Sequence, residues 1–317
     1  MKSFLYLLIL GLSFLLACTQ KTASIGDNSA FDFQPEKSSN IALKNELGIP
    51  NEGGHIQGIQ LYQKAGKSWY FFSGSSAHQA YLAIADAESR NVISVQKLLD
   101  EPYRHAGGFQ IMDDLLAVGI EDNEKKDKSL IHVYRILNAE KDELKLIRQI
   151  ERKGDYKRMT AGSVALTRID TKLYLCVGNW DNHDLDLYRL SLDKLESPNQ
   201  EFEWLSSINS DELDRNTWVE KSWFSYQNIN FFWKNNRLYL AAMAEEGLGG
   251  KQLLDIFTCD LAGEKMGLEK VFHQSFPKKG DSGFRWGGGV YVDEKGNLKI
   301  MACGEQITDK IEVRYWK

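Results

Sequence analysis

The hydrophobic and polar positions of this chain follow a repeated plan of short alternating runs. The clearest copy occupies residues 105–136: an apolar run opened by glycines, a turn at Asp113, a second run that ends at Gly119, a charged loop and a third run through Tyr134. Short runs rich in β-branched and aromatic residues, bounded by turn residues, are typical of β-strands. Weaker copies lie before and after this one, so we interpret the chain as an all-β repeat architecture.

The copies recur at similar intervals and share a second marker. Aligned on the four residues that open the first strand, they begin at His55, His105, Met159, Ser225 and Arg285. In three copies, a glycine in the opening four is followed by another glycine sixteen positions later, as at Gly58 and Gly74. Four strands repeated at such intervals are typical of β-propeller blades. We predict a β-propeller of five blades with four antiparallel strands each; six blades and a two-sheet sandwich are the alternatives.

The ring of blades needs one strand from outside the repeats. The fifth copy ends after three runs, at Lys317, whereas residues 41–48 precede the first copy and have no partner of their own. Pairing residues 41–48 onto the fifth copy would close the ring and leave no exposed edge strand. We therefore predict a single propeller domain over residues 41–317, with its last blade closed by an N-terminal strand.

The first seventeen residues differ in kind from the rest of the chain. Lys2 precedes an apolar run over residues 4–16, which is too short to span a bilayer as a stable helix, so residues 1–17 predict a secretory signal peptide. The end of this segment, Leu-Leu-Ala followed by Cys18, resembles the lipobox of bacterial lipoproteins. An uncleaved or transmembrane signal segment is the alternative. Residues 18–40 are rich in Ser, Thr, Asn and Lys and predict a flexible tether.

The lipobox resemblance implies a location and a membrane partner. It implies cleavage before Cys18 and lipidation of its sulfur, which would anchor the protein in the bacterial cell envelope, facing the periplasm or the cell surface. The residue after the cysteine is Thr19 rather than aspartate, which under the sorting rule of that family favours the outer membrane.

Composition narrows the possible partners. The chain has 44 acidic and 39 basic side chains, so it lacks the basic excess of nucleic-acid-binding proteins, and we expect no nucleic-acid partner and a monomer. The other three cysteines, Cys176, Cys259 and Cys303, lie in apolar runs and predict buried thiols.

Strand direction predicts which side chains surround the channel. The first strand of a blade runs away from its opening residues and the second returns, so the start of the first and the end of the second meet at one edge. The candidate ligand-binding residues at this edge are His55, Gln57, His105, Glu121, Arg158, Asn179, Trp180, Asp181, Gln227, Glu245, Arg285, Trp286 and Glu305. Their mixture of indoles, imidazoles, guanidinium groups and carboxylates predicts a site for a glycan or another polar small molecule. Trp218 and Trp223 are further candidates for stacking against sugar rings.

Two histidines occupy the same repeat position in neighbouring blades. His55 and His105 should therefore lie side by side, where they can share an anionic group or a divalent metal with Glu121 or Asp122 as a third ligand. A packing environment that repeats from blade to blade is the alternative explanation. No other cofactor is predicted.

Carboxylates recur where second strands end. Glu121, Asp181, Glu245 and Glu305 hold this position, and carboxylates opposed across a cavity can act as acid and base on a glycosidic bond. The predicted fold resembles five-bladed glycosidases, whose acids sit on the inner strands, whereas no first strand here opens with Asp or Glu. Ion pairing with rim arginines is the alternative role for these carboxylates. The sequence alone therefore leaves open whether the chain is an enzyme.

Three functional hypotheses remain from the sequence. The leading one is a lipid-anchored extracytoplasmic propeller that binds a glycan or polar small molecule at its channel mouth. The second is a hydrolase of a glycan or phosphoester that uses the rim carboxylates and histidines. The third is a protein-interaction scaffold of the cell envelope. A concave mouth with His55 and His105 facing inward would favour the first two over the third.

Overall fold

The computed structural model describes residues 31–47, 52, 54–261, 263, 265–306 and 308–316. Within these ranges the chain forms twenty strands, β1 to β20 in chain order, one α-helical turn, α1 (Phe284–Gly287), and short 3-10 turns. No helix in the described part of the chain is long and apolar enough to cross a membrane. The predicted signal peptide, Cys18 and the tether as far as residue 30 lie outside the described residues.

The strands pair as five consecutive antiparallel sheets of four, here named blades 1 to 5. Blade 1 contains β2 (His55–Lys64), β3 (Lys67–Ser75), β4 (Gln79–Asp86) and β5 (Asn91–Asp100). Blade 2 contains β6 (His105–Met112), β7 (Leu115–Glu121), β8 (Lys128–Asn138) and β9 (Glu143–Lys153). Blade 3 contains β10 (Ser163–Ile169), β11 (Lys172–Gly178), β12 (Asp184–Ser191) and β13 (Glu203–Asn209).

The remaining two blades complete the ring. Blade 4 contains β14 (Tyr226–Lys234), β15 (Arg237–Glu245), β16 (Gln252–Asp260) and β17 (Gly267–Phe276). Blade 5 contains β18 (Gly288–Val292), β19 (Leu298–Cys303), β20 (Lys310–Trp316) and β1 (Ser38–Lys44). The first strands of the five blades contact one another in ring order and surround a central channel. The predicted all-β propeller is confirmed.

Close packing of the inner strands explains the repeated glycines. A Cβ atom at Gly58 would lie 2.8 Å from the Phe109 ring, and one at Gly108 would lie 2.6 Å from the side-chain oxygen of Asn228. Both contacts are too short for a side chain. Glycine therefore marks the places where neighbouring blades approach closely around the channel.

The N-terminal strand closes the ring, but its bounds differ from the prediction. β1 pairs antiparallel with β20 from Ser38 opposite Trp316 to Lys44 opposite Lys310, so it begins three residues before the predicted residue 41. Phe31 and Phe33 are buried and pack against Phe272 of blade 4. The prediction of a flexible tether was therefore wrong for residues 31–40, because the apolar side chains in this polar stretch bury themselves in the domain.

Apolar side chains fill the spaces between neighbouring blades. One cluster joins Phe71 and Leu82 of blade 1 to Leu116 and Val118 of blade 2, and similar clusters lie between the other blades. Cys176, Cys259 and Cys303 are buried free thiols in these layers, as predicted. The blades are therefore held together by face-to-face packing of their apolar sides.

Side-chain amides fill the interior of the channel. Gln110 of blade 2 accepts the backbone N–H groups of Leu166 in blade 3 and Phe231 in blade 4, at 2.9 and 2.8 Å, and donates to the Phe231 carbonyl at 2.7 Å. Asn230 of blade 4 donates to the Phe109 carbonyl and accepts from the Val290 N–H, both at 3.1 Å. These bonds tie the inner strands of four blades together.

Candidate functional site

A polar cavity opens at the end of the channel where the first strands begin. Its volume is about 130 Å³. We call it the mouth pocket, and it is lined by His55, Gln57, His105, Glu121, Asn123, Gly162, Trp180, Asp181, Tyr226, Gln227, Arg285 and Trp286. All five blades or the turns that lead into them contribute to this lining, so the pocket exists only in the closed ring.

Local backbone features present these side chains to the pocket. His55 and His105 are the first residues of β2 and β6, and the helical turn α1 carries Arg285 and Trp286 immediately before β18. Trp180 and Asp181 lie on a 3-10 turn in which Asp181 has a φ of 63°. Aspartate and asparagine adopt such left-handed conformations more readily than most residues.

A buried asparagine anchors that turn to the neighbouring blade. The side chain of Asn182 accepts the Ser163 hydroxyl and donates to the Tyr226 carbonyl, each at 2.6 Å, and its carbonyl accepts the Trp223 indole N–H at 3.1 Å. The bonds connect blade 3 to the start of blade 4. They hold the wall of the mouth pocket that carries Trp180 and Asp181.

The two histidines lie edge to face at the centre of the site. Their ring centroids are 5.6 Å apart, with an interplanar angle of 77°. Burial, together with the electrostatic effects of neighbouring His105 and Arg285, lowers the pKa of His55 to about 3. His55 is therefore neutral at neutral pH. The Gln57 amide nitrogen lies within hydrogen-bonding distance of the His55 ring, which can also bond a ligand.

His105 lies against a buried carboxylate. Glu121 Oε1 is 3.2 Å from His105 Nδ1, although the two atoms are not aligned as a hydrogen bond. The other carboxylate oxygen accepts the backbone N–H of Ala161 at 2.8 Å. The Glu121 side chain is fully buried, so the pair gives the pocket a fixed carboxylate next to an imidazole.

Two tryptophans line the pocket from different blades. Trp286 lies 5.0 Å from the His55 ring, and Trp180 lies 6.2 Å from the His105 ring, measured between centroids. The Arg285 guanidinium lies 4.9 Å from the centroid of Trp286. The Lys126 ammonium lies 3.6 Å above Trp180. Each indole is therefore partly exposed to the pocket and has a cation near it.

The second carboxylate of the pocket is less enclosed. Asp181 Oδ1 accepts the Ser225 hydroxyl at 2.6 Å and the Gln227 amide at 3.3 Å. These two bonds come from the segment that leads into β14 and from β14 itself. They fix the orientation of the Asp181 carboxylate between blades 3 and 4.

Nine of the thirteen predicted site residues line the mouth pocket, and four do not. Arg158 turns outward to pair with Asp186, with two contacts at 2.6 Å. Asn179 is buried and donates to Asp184 at 2.7 Å. Arg158 bonds Asp186 and Asn179 bonds Asp184, both on β12, and neither side chain lines the cavity.

The other two residues outside the pocket are carboxylates of blades 4 and 5. Glu245 is buried at its side chain and pairs with Lys278 at 3.1 Å. Glu305 lines a separate cavity of about 420 Å³, which shares Trp286 with the mouth pocket. The prediction of four equivalent carboxylates around one mouth was therefore wrong for these two.

Three lining residues were not among the thirteen: Asn123, Gly162 and Tyr226. Tyr226 opens β14, so the strand-opening rule that selected His55 and His105 also applies to it. Its hydroxyl donates to buried Asp255, away from the cavity, and only the rest of the side chain faces the site. Trp218 is buried and Trp223 is half-buried in the core of blade 4, so neither lines the pocket.

The histidines do not form part of a metal-binding cluster. No group of three or more His, Cys, Asp or Glu side chains among the described residues has a geometry that could hold a metal ion. Of the two third ligands proposed from sequence, Glu121 lies against His105, and Asp122 pairs with Lys128 at 3.3 Å. The geometry gives a site for hydrogen bonding and stacking.

The fold is similar to that of solved glycoside hydrolases. An α-L-arabinofuranosidase from Podospora anserina, solved in complex with cellotriose, superposes with a TM-score of 0.53 at 12% identity, covering 87% of this chain and 96% of that enzyme. The catalytic domain of the GH62 α-L-arabinofuranosidase of Coprinopsis cinerea gives 0.51 at 11% identity, with the same coverage. No family model matches the chain, and no curated protein matches its sequence. At these identities the similarity shows the fold alone.

Proposed function

We propose that the mouth pocket binds one sugar unit of a glycan. The observation that carries this proposal is the pairing of two indoles, Trp180 and Trp286, with hydrogen-bonding side chains in one small cavity. Indole faces pack against the C–H face of a sugar ring, while groups such as Gln57, Gln227 and neutral His55 bond its hydroxyls. Such a combination suits a ligand that is apolar on one face and polar at its rim.

The size of the pocket supports a single sugar as the occupant. About 130 Å³ is smaller than the roughly 300 to 1,000 Å³ typical of pockets for drug-sized ligands. The structural neighbour from Podospora anserina was solved with cellotriose, a glycan, on the same fold. Both observations favour a ligand-binding propeller over a scaffold whose rim serves only as a protein interface.

We further propose that the reaction at this pocket is hydrolysis of a glycosidic bond. Two specific observations favour it: Glu121 and Asp181 both line the pocket, and the two solved structures described above are α-L-arabinofuranosidases. Glycoside hydrolysis needs one carboxyl group to protonate the leaving oxygen and a second to activate water or attack the sugar. Buried Glu121 beside His105 is the candidate acid, and Asp181, which accepts two hydrogen bonds, is the candidate base.

One feature separates this chain from the glycosidases that its fold resembles. Their acids sit on the inner strands, whereas here the inner strands β2 and β6 open with His55 and His105. The carboxylates of the mouth pocket come instead from the end of β7 and from the turn after β11. The chain could therefore bind a glycan without hydrolysing it, and an assay of hydrolysis has to distinguish these two functions.

We also propose that the protein is anchored by lipid at the bacterial envelope. Lipidation at Cys18 would hold the propeller at the bacterial envelope, with the outer membrane favoured by Thr19. Metabolic labelling with a radioactive fatty acid, compared between the wild type and Cys18→Ser, tests this directly. Label that stays on the serine variant would contradict the lipid anchor.

The binding and hydrolysis proposals can be tested together on the full chain in detergent. Calorimetric titration with a panel of oligosaccharides should reveal at least one ligand, and Trp180→Ala and Trp286→Ala should each weaken its binding about tenfold or more. Trp204→Ala is the matched control, because Trp204 lies on β13 with 56% of its surface exposed and lines no part of the pocket.

Turnover is then measured by release of reducing ends from the ligand that binds. Hydrolysis should be lost in Glu121→Gln and in Asp181→Asn by at least 100-fold in kcat, because each variant removes one of the two required carboxyl groups. Binding with no hydrolysis in the wild type would leave a glycan-binding protein. A panel in which no glycan binds the wild type would contradict both proposals.

A further inference from the structure

Arg285 is a cation of the mouth pocket without a hydrogen-bond or ion-pair partner among the described residues. Its Nε is buried and makes no hydrogen bond, and no carboxylate in the described part of the chain forms an ion pair with its guanidinium. The contact that the structure does show is with the face of Trp286, at 4.9 Å. An arginine in a pocket is normally paired, because a desolvated charge without a partner is costly.

The other rim arginines show how the protein pairs such groups. Arg158 has its two contacts with Asp186 at 2.6 Å. Arg104 donates to the Ala77 carbonyl at 2.8 Å and lies 3.8 Å from a carboxylate oxygen of Glu101. Arg285 therefore differs from these two arginines in lacking any bonded oxygen, although its side chain is half-buried.

The surroundings of Arg285 suit an anionic group on a ligand. A guanidinium binds carboxylate or sulfate oxygens through two parallel N–H bonds, and stacking on Trp286 holds its plane in one orientation. The His55 ring, whose centroid lies 5.0 Å from that of Trp286, can add a further hydrogen bond. The Lys126 ammonium, 3.6 Å above Trp180, places a second positive charge near the pocket, although Lys126 does not line it.

Each carboxylate of the pocket accepts at least one hydrogen bond from the protein. Glu121 lies 3.2 Å from His105 and accepts the Ala161 N–H. Asp181 accepts hydrogen bonds from Ser225 and Gln227. Each of these carboxylates therefore has at least one hydrogen bond from the protein, whereas the Arg285 guanidinium has none among the described residues.

We propose that the sugar bound in the mouth pocket is acidic and that Arg285 binds its anionic group. The inference rests on the proposed function and names the class of substrate: a glycan whose bound unit carries a carboxylate, as in a uronic acid, or a sulfate ester. Both groups present oxygens to a guanidinium at similar distances. The ligand completes the hydrogen bonds that the folded protein leaves open at Arg285.

The test compares sugars that differ only in this group. The full chain in detergent is titrated with methyl glycosides of glucose, galactose and mannose, each as the neutral sugar, its uronate and its 6-sulfate. In at least one series an acidic member should bind at least tenfold more tightly than the neutral parent, and the advantage should shrink as salt rises from 50 to 500 mM. Preference for the uronate alone or the sulfate alone identifies which group is bound.

Variants assign the preference to Arg285. Arg285→Gln should reduce the ratio of acidic to neutral affinity to near one, and Arg285→Lys should keep only part of it, because lysine cannot form the paired bonds. Arg104→Gln is the matched control and should keep the wild-type ratio. Near-UV circular dichroism of each variant verifies that the propeller is folded.

The outcomes separate this inference from the proposed function. If neutral sugars bind the wild type as tightly as acidic ones, or if Arg285→Gln keeps the preference, the acidic-ligand inference is wrong while glycan binding stands. If no sugar of any series binds, both fail.

Discussion

The interior of the channel and the mouth pocket are both polar, but they differ in how their hydrogen bonds are completed. In the interior, Gln110 and Asn230 bond backbone groups of neighbouring blades through both ends of their amides. At the mouth, buried polar atoms of His105, Glu121 and Arg285 have no hydrogen-bond partner within the described residues. The two polar regions along one axis thus differ in how far their hydrogen bonds are completed, although the Asn228 side-chain oxygen of the inner strands also lacks a partner among the described residues.

This difference indicates that the interior stabilises the fold and that the mouth pocket binds a ligand. A buried polar group without a partner costs about 1 to 3 kcal/mol, whereas a paired one is neutral or mildly stabilising. The amides of the interior therefore contribute to ring closure and need nothing from outside. The unpaired atoms of the mouth cost stability in the absence of a ligand, and a ligand that supplies partners recovers that free energy as affinity.

The largest effect should follow from breaking the interior network. Gln110→Met keeps the side-chain volume but leaves the N–H groups of Leu166 and Phe231 without acceptors, so the free energy of unfolding should fall by about 3 to 6 kcal/mol. Urea denaturation followed by tryptophan fluorescence measures this. Gln63→Met is the matched control: Gln63 is exposed near the end of β2, and its loss should cost less than about 0.5 kcal/mol. Equal effects would mean that the interior amides are not structural.

The second-largest effect should be a loss of stability at acid pH that arises from His55 in the mouth pocket. Burial lowers the pKa of His55 to about 3 in the folded protein, while the unfolded chain takes up this proton near pH 6.5. Stability is therefore unaffected by His55 above pH 6.5 and falls below it, by up to about 1.4 kcal/mol per pH unit, as the pH approaches 3. A variant without the His55 imidazole should not show this loss of stability at acid pH.

The measurement compares the wild type with His55→Gln by urea denaturation at pH 7.0, 5.5 and 4.5. Between the ends of this range, the wild type should lose about 2 to 3 kcal/mol more than the variant. Other groups titrate in both proteins and cancel in the difference. Parallel pH profiles would show that His55 remains hydrated and is not held neutral in the pocket.

Much of the architecture could be predicted from the sequence because it rests on local periodicity. Alternating runs, turn residues and glycines at a constant spacing define strands and their order, and strand direction then places His55, His105 and Trp286 at one edge. The same reasoning predicted that an N-terminal segment closes the ring. These features depend on backbone geometry, which a pattern of residue types reports well.

What sequence could not provide was the partner of each long side chain. Arg158 and Glu245 begin at the rim, but each reaches the nearest opposite charge, Asp186 or Lys278, and leaves the pocket. Nor did the pattern predict the helical turn that carries Arg285, since Arg285 was aligned with strand openings. Pairing between blades depends on distances that only the closed ring sets.

Substitution of Tyr226, which lies between the two regions, should lower the free energy of unfolding by an intermediate amount. Tyr226 lines the mouth pocket, but its hydroxyl donates to Asp255, which also lies 2.6 Å from the Lys270 ammonium and 2.7 Å from His273 Nδ1. Tyr226→Phe removes one bond from a cluster that keeps two others, so it should cost about 1 to 2 kcal/mol. Thermal denaturation would detect this. A loss above 3 kcal/mol would mean that the hydroxyl is essential to the buried charge cluster.

The smallest effect should come from the mouth pocket itself, at Arg285. Arg285→Gln removes a half-buried cation that has no ion pair among the described residues, and it loses only the contact with Trp286, worth about 0.5 to 1 kcal/mol. The gain from removing an unpaired charge opposes that loss, so the free energy of unfolding without ligand should change by less than about 1 kcal/mol. Denaturation in urea, alongside Gln110→Met, provides the measurement. A loss of more than 2 kcal/mol would show that Arg285 supports the fold, and the contrast between a self-sufficient interior and an open mouth would then have to be abandoned.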